Sequence, residues 1–400
     1  MQPDKHHEPL WTKSFISITI CSFLLFLNLQ MLLSSFPAYV TNELNAGNIA
    51  VSLVTSLFAL SAIASRFMTA AFMRKFSRDW LLLTGILLGA LTTAVYSLSG
   101  SVGSLLVMRV GYGIGFGMAS TILPTLVSQI IPAKRMGEGI GYFGLSTSLA
   151  MSVGPMIGMN MMNNLGFGPL TIAGTAALLL SLPILFFSQL ISLSFRTGKP
   201  AARSEASVQN RGGFNHKLWF PALLNALLSI TYSGLLSFIV LFGQFAGLEQ
   251  VGLFFLFNTV TIVLIRPISG RLFDRKGPVP VLIPAGLSVA VSMLVLSYSD
   301  QMVMLIVSAL LYGLGFGAIQ PTIQAWMLRV STKEQYGAAN SMFYNSTDFG
   351  VAVGALLLGA VASATDYAVM YRYSALIMVC FVLLFAVSRI LVRRRQPLQA

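Results

Sequence analysis

Two ionisable residues sit where an apolar chain tolerates charge least. Arg109 and Asp348 each lie well inside an apolar stretch, and Asp348 is the one carboxylate so placed. In a bilayer interior such a residue costs roughly 2.5–3.5 kcal/mol on insertion scales, so it needs a partner, water or a task. A carboxylate that alternates between dry and wet surroundings changes its proton affinity. Asp348 is therefore a candidate proton carrier, with Arg109 stabilising its charged form in one state. The structural alternatives are an Arg109 that snorkels to the surface and an Asp348 satisfied by neighbours such as Tyr344 and Asn345.

Other chemistries are poorly served. His6, His7 and His216 fall in polar segments, no Cys/His ligand spacing is present, and neither a metal nor a cofactor is expected. Cys21 and Cys380 lie inside apolar stretches and read as packing residues rather than a disulfide. The glycine strings around Gly113 and Gly313 could pass for a dinucleotide loop. They lack the strand before and the helix after, and they suit close helix contact instead.

The elements that hold these residues are set by composition. The 400 residues are 56% hydrophobic and only 9% charged, with a mean hydropathy of +0.79. A soluble chain is roughly a quarter charged, so lipid is the solvent here. Apolar runs start near Phe15, Ile49, Trp80, Ser104, Gly139, Pro169, Leu218, Gln250, Pro280, Met302, Gly337 and Ala368, and predict twelve membrane helices. The first run is too long for a signal peptide and counts as a span. Asn345-Ser346-Thr347 spells a glycosylation site but falls mid-span.

The net charge of +13 would suggest nucleic acid in a soluble protein, but its placement points to topology and no nucleic-acid partner is expected. Basic residues crowd the turns after even-numbered spans (Arg74, Lys75 and Arg78; Lys134 and Arg135; Arg271, Arg275 and Lys276; Arg329 and Lys333) and both ends. Opposite turns carry Glu43, Glu249, Asp300 and Asp366. Positive charge stays inside, so both termini are expected in the cytoplasm. Residues 1–14 and 392–400 read as cytoplasmic ends, 15–193 and 218–391 as two six-helix bundles, and 194–217 as a basic, flexible linker.

The two halves repeat. Tyr112-Gly113-Ile114-Gly115-Phe116-Gly117 returns as Tyr312-Gly313-Leu314-Gly315-Phe316-Gly317, 200 residues on, and the same offset carries Arg66 to Arg266 and Gly154 to Gly354. Duplicated halves with a site between them near the midplane are a common transporter design.

Three motifs then resemble a known family. Arg266–Gly277 (RPISGRLFDRKG) contains Gly270, Asp274, Arg275 and Gly277 in the loop pattern of the major facilitator superfamily. Arg109 begins a segment similar to its helix-4 motif, and Gly154-Pro155-Met156-Ile157-Gly158 resembles the signature of its 12-helix drug:proton antiporters. The resemblance implies an all-α membrane protein with twelve helices in two pseudo-symmetric bundles. It also implies a cavity lined by helices 1, 4, 7 and 10, with Asn28, Gln30, Tyr112, Asn225, Tyr232, Tyr312, Gln320, Gln324, Tyr344 and Asn345 as substrate-binding candidates. Relatives often carry an acid in helix 1, where this chain has Asn28 and Gln30.

Gly154 and Pro155, with Gly158, would kink helix 5 and govern opening. Asp274 and Arg329 could pair and close the inner face, whereas 200 residues earlier stand Arg74 and Gln129, with Ala70 and Ser77 in place of the motif glycines. The expected protein is a monomeric, bacterial plasma-membrane transporter. It would use protons to export a small organic molecule, either a drug or an opine- or siderophore-type metallophore. Import of a small polar solute, a non-transporting receptor and an intramembrane enzyme are the rivals. The last lacks paired carboxylates or histidines in its spans.

The charge pattern makes a direct prediction. Reporters fused after Lys199 and after Arg395 should both read as cytoplasmic, and one at Asp300 as external. An external Lys199 would overturn the span count.

Overall fold

A computed structural model describes residues 9–46, 48–73, 75–188, 215–248 and 250–395. Most of the proposed linker, the first eight residues, Arg74, Glu249 and residues 396–400 lie outside the described residues. Twelve helices are long and apolar enough to cross a membrane. They are α1 Lys13–Ala38, α2 Asn48–Phe72, α3 Arg78–Val95, α4 Val102–Ile130, α5 Met136–Leu165 and α6 Phe167–Phe187. The second set is α7 Trp219–Ala246, α8 Leu253–Lys276, α9 Val279–Ser297, α10 Met302–Arg329, α11 Tyr336–Ala364 and α12 Tyr367–Arg395. Helices are forced on such a chain, because hydrocarbon offers no partner to an open backbone amide.

The ends are set by local chemistry. The Thr12 side chain accepts from the Phe15 amide at 3.2 Å and opens α1. Ser101 and Ser104 form a capping box at the start of α4, and Asp366 accepts from the Val369 amide at 2.7 Å at the start of α12. Gly277 closes α8 at φ +77°, a conformation L side chains rarely adopt, so the glycine of the loop motif is needed for the turn itself.

Two compact units result, and their boundaries do not follow the halves of the sequence. The first holds α1–α4, α5 from Ser146, α6 and Ser331–Ser341. The second holds Lys134–Leu145, α7–α10, α11 from Met342 and α12. Each unit thus contains the start of one helix whose remainder belongs to the other. No sequence pattern announced that exchange.

Within each unit the repeated glycine string does the same work. On α4, a Cβ at Gly113 or Gly117 would run into α2 at Phe58 or Ala62, and one at Gly115 into α3 at Gly85 and Gly89. On α10, Gly313 and Gly317 meet α8 at Asn258 and Ile262, and Gly315 meets α9 at Ala285. The string lets one central helix lie against two neighbours at backbone distance, where dispersion rather than the hydrophobic effect holds helices together. Serines add hydrogen bonds: Ser292 Oγ donates to the Ser308 carbonyl at 2.7 Å, and Ser308 Oγ returns the bond at 2.9 Å.

Gly154 and Gly158 seat α5 on α1. A Cβ at Gly154 would lie 2.5 Å from the Gln30 Cβ, and one at Gly158 would collide with the Met31 carbonyl oxygen. Pro155 lies inside a helix that runs unbroken from Met136 to Leu165. The motif therefore serves a close α1–α5 contact. The second half has the same contact without a proline, with Gly350 and Gly354 against Ala226 and Ile230 of α7.

Gly158→Val should accordingly lower the thermal midpoint of the purified protein by several degrees, since overpacking costs about 1–3 kcal/mol. Gly168→Ala, where nothing lies within 4 Å, should leave the midpoint unchanged or raise it. An unchanged midpoint for Gly158→Val would show that stability does not depend on the close α1–α5 contact.

Candidate functional site

The densest polar constellation in the second unit joins the start of α5 to the ends of α8 and α10. The glycine sequence of α5 explains why two helices can meet there. A Cβ on Gly137 would lie 2.6 Å from the Gly270 carbonyl oxygen, and one on Gly270 would strike the Gly137 backbone. With both backbones in contact, the Asp274 carboxylate reaches the open end of α5. Its Oδ1 accepts from the Gly137 amide at 2.8 Å and its Oδ2 from the Glu138 amide at 2.9 Å. It thus caps a helix other than its own, satisfying two donors that have no intrahelical partner and facing the positive end of the α5 dipole.

Four further charges complete the cluster. Arg329 Nη2 pairs with Asp274 Oδ1 at 2.9 Å, and its guanidinium covers the Phe273 ring at 4.2 Å. Glu138 is bound on both sides, by Arg135 Nε at 2.8 Å and Arg271 Nε at 2.8 Å. The carboxylates are buried to 7–8% side-chain exposure while the arginines remain 32–58% exposed. Arg275 is exposed beside the cluster. The Asp274–Arg329 pair expected from the sequence is therefore present. Glu138 and Arg271, which a turn-by-turn reading treats as topological charge, belong to the same group. Only the tertiary meeting of α5 and α8 reveals them.

The first unit holds the borrowed start of α11 differently. Gln129 accepts from Arg78 Nη1 at 2.5 Å, and Thr332 and Gln335 form a capping box before α11. Asn340 Nδ2 donates to the Tyr336 carbonyl at 3.0 Å. Around Gly337 the neighbours are Met73 and Thr125. Charge is present here too, in Arg78 and in Glu334 within its electrostatic reach.

Arg109 is fully enclosed in the first unit, so it does not snorkel. Its Nε donates to the Val54 carbonyl at 3.0 Å. The guanidinium lies 4.5 Å from the ring centres of both Phe36 and Phe58 and 5.6 Å from that of Tyr112. The Tyr96 hydroxyl lies within electrostatic reach of the guanidinium. Within its own unit Arg109 is thus held by a main-chain carbonyl and a cage of aromatic faces. Asp348 is half-buried on α11 and engaged in polar contacts.

The remaining candidates divide by unit. Tyr112 donates to Asn28 Oδ1 at 2.6 Å, and both are fully buried inside the first unit, where Gly174 of α6 leaves room for the amide. Gln30 is half-buried against Gly154. In the second unit Asn225 Nδ2 donates to the Phe343 carbonyl, Ser346 and Thr347 at 3.0, 2.8 and 2.7 Å, tying α7 to α11. Tyr232 is half-buried and stacks on Phe316 at 4.8 Å, and the buried Tyr312 bonds Thr231 at 3.4 Å. Gln320 and Gln324 lie one turn apart on α10, and Tyr344 and Asn345 share a face of α11 with Asp348.

Two buried arginines went unassigned in the sequence. Arg66 Nε donates to Ser120 at 3.2 Å and Arg266 Nη2 to Gln320 at 3.4 Å. Ser120 and Gln320 are themselves 200 positions apart, so the pair recurs as a unit. The repeat offset was the signal that could have found it.

A helical membrane chain of two repeat-related units, with polar residues seated inside its spans, has the architecture of a solute transporter. A model of the Major Facilitator Superfamily matches residues 18–298 and 223–400, and the chain belongs to that family. Among its relatives, the Multidrug resistance protein MdtG of Escherichia coli is 22% identical over 94% of each chain. The Staphylopine export protein of Staphylococcus aureus is 19% identical over 90% of this chain and 92% of its own. An uncharacterized MFS-type transporter of Methanocaldococcus jannaschii, MJ1560, is 20% identical over 91% and 95%. The human organic anion transporter MFSD10 superposes with a TM-score of 0.70 at 15% identity, covering 93% of this chain and 98% of its own. FucP, a transporter of the same family in the outward conformation, also gives 0.70, at 16% identity over 92% and 97%.

The Asp274 cluster can be tested without a substrate. Hydrogen bonds to a charged group are worth about 1.5–3 kcal/mol, so Asp274→Asn should speed amide exchange at Gly137 and Glu138 by roughly tenfold or more. Hydrogen-exchange mass spectrometry of the 134–145 peptide reads this directly. Unchanged exchange would mean that the glycine contact alone holds the helix start.

Proposed function

We propose that this chain is a plasma-membrane secondary transporter that exports a small organic molecule in exchange for protons, by alternating access, with both termini in the cytoplasm. The observation that carries the reading is the way a first-half helix starts inside the second unit, held by Asp274 through two amides and one ion pair. Such a hold is strong enough to define a closed state. It also breaks one contact at a time, because three of its arginines reach solvent. On this reading Asp274, Arg329, Glu138 and Arg271 close the cytoplasmic end, and Gly270 and Gly277 give α8 the approach and the turn that closure needs.

Export is supported by two of the relatives, one named for multidrug resistance and one for staphylopine export. The staphylococcal relative favours, as a second reading, a metallophore of opine or siderophore type. The α5 segment Gly154-Pro155-Met156-Ile157-Gly158 supports the same direction through its resemblance to the signature of drug:proton antiporters.

Asp348 is the proposed proton carrier, on a polar face of α11 beside Tyr344 and Asn345. Arg109 acts elsewhere in the cycle, as a fixed positive charge whose aromatic cage sets the field of the first unit.

In vesicles with an imposed pH gradient, Asp348→Asn should abolish uphill accumulation while leaving downhill exchange partly intact. A variant that still concentrates substrate at the wild-type rate would remove Asp348 from the proton route and leave Glu138 as the next carboxylate to test.

A further inference from the structure

We propose that Arg266 is the docking point for a carboxylate, or an equivalent organic anion group, on the transported molecule. We further propose that the start of α5 is its removable cover. The inference rests on the transporter reading above and names the substrate class for it.

Arg266 occupies the middle of α8, one turn before Gly270 and two before Asp274. Its residue exposure is 2%, yet it is poorly satisfied. One long hydrogen bond, 3.4 Å to Gln320 Oε1, engages Nη2, while Nε and Nη1 have no partner. Among the described residues no carboxylate pairs with it. A buried cation without a counter-charge is strongly unfavourable, and packing alone would be served better by Leu or Met. A planar guanidinium whose Nε and Nη1 are unused and whose Nη2 makes one long bond can, however, offer a carboxylate two parallel donors along its Nε–Nη2 or its Nη1–Nη2 edge.

The cover is as specific as the donor. Gly141 and Gly144 of α5 lie over Arg266: a Cβ on the first would sit 2.9 Å from the Arg266 carbonyl oxygen, and one on the second would collide with Nη1. Two hundred positions on, the same sites hold Ser341 and Tyr344, so small residues are not demanded by the repeat. Tyr344 stands within electrostatic reach of the guanidinium, and Gln324 follows Gln320 on α10. These are neutral hydrogen-bonding groups, suited to the polar remainder of an anionic or zwitterionic molecule.

Geometry also links the site to closure. Along α5 the contacts run Gly144 and Gly141 to Arg266, Gly137 to Gly270, then the Gly137 and Glu138 amides to Asp274. One stretch of helix therefore both closes the Asp274 cluster and covers Arg266. Releasing Asp274 uncovers the guanidinium from the side where α8 ends. A substrate anion entering there supplies the missing counter-charge, and α5 can return only over an occupied or emptied site.

The test uses the full-length protein, purified and in lipid. A set of small aminocarboxylates and monocarboxylates, each matched to its amide and its amine, is screened by thermal shift on wild type, Arg266→Lys and Arg266→Gln. Carboxylates should raise the Tm of wild type, their amides should not, and Arg266→Gln should weaken the apparent affinity at least tenfold, with Arg266→Lys in between. Gly144→Ala, which displaces the guanidinium without removing its charge, should weaken it too and serves if Arg266→Gln does not fold. The inference is overturned if no carboxylate shifts wild type, if amides or amines act as well, or if Arg266→Gln responds as wild type does. Flux of the bound carboxylate in vesicles keeps the two readings apart. Binding without transport would sink the transporter reading and leave Arg266 standing, whereas transport of an amine with no carboxylate response would do the reverse.

Discussion

Backbone-to-backbone approach of helices through glycine is the interaction on which this structure depends. In lipid there is no hydrophobic gain from hiding a leucine from its own kind, so helices gain by coming close. The chain provides for this at repeated places: Gly113, Gly115 and Gly117 on α4, their counterparts on α10, Gly154 and Gly158 on α5, and Gly137 against Gly270. Two of the polar arrangements described above depend directly on such glycines. Asp274 can reach the amides of α5 only because no side chain separates Gly137 from Gly270. Arg266 can lie flat only because Gly144 has none.

Charge is then distributed by what each contact can protect. At the end of α8 the two carboxylates are buried and their arginines partly wet, so the pairs are screened and separable. Inside the spans the pattern reverses. Arg109 and Arg266 are buried cations held by neutral groups, the first by a main-chain carbonyl with three rings and the second by an amide oxygen. Aromatic faces and amide oxygens stabilise a cation less than a carboxylate would, and they leave donors for something else to use.

Much of this was legible in the residues. Twelve spans, the 200-residue repeat and the loop motif around Asp274 follow from hydropathy and spacing, and the observed helix starts lie within three residues of the expected ones. The Asp274–Arg329 pair followed from a motif and a nearby base. What stayed hidden was direction. Span content does not say whether Asn28 turns toward α6 or toward a cavity, and it turns to Gly174. Likewise, Glu138 looks like a loop charge until α8 is laid beside it. Arg109 was marked as costly, but its aromatic neighbours come from α1, α2 and its own helix, a convergence that no linear pattern encodes.

The two halves inherited one plan and hold it with different chemistry. In the second unit a carboxylate caps the borrowed helix start, drawing on dipole, amides and an arginine together. In the first, the position equivalent to Asp274 is Arg74 and that equivalent to Arg329 is Gln129. There the 3-10 turn Lys333–Gln335 that leads into α11 carries a capping box of its own, made by Thr332 and Gln335. A capping box travels with its helix, whereas a cap contributed by another helix is lost when the helices part. On the reading proposed above, closure would centre on α5 and α8 even though the sequence repeats, because the Asp274 carboxylate completes a helix end that is otherwise open.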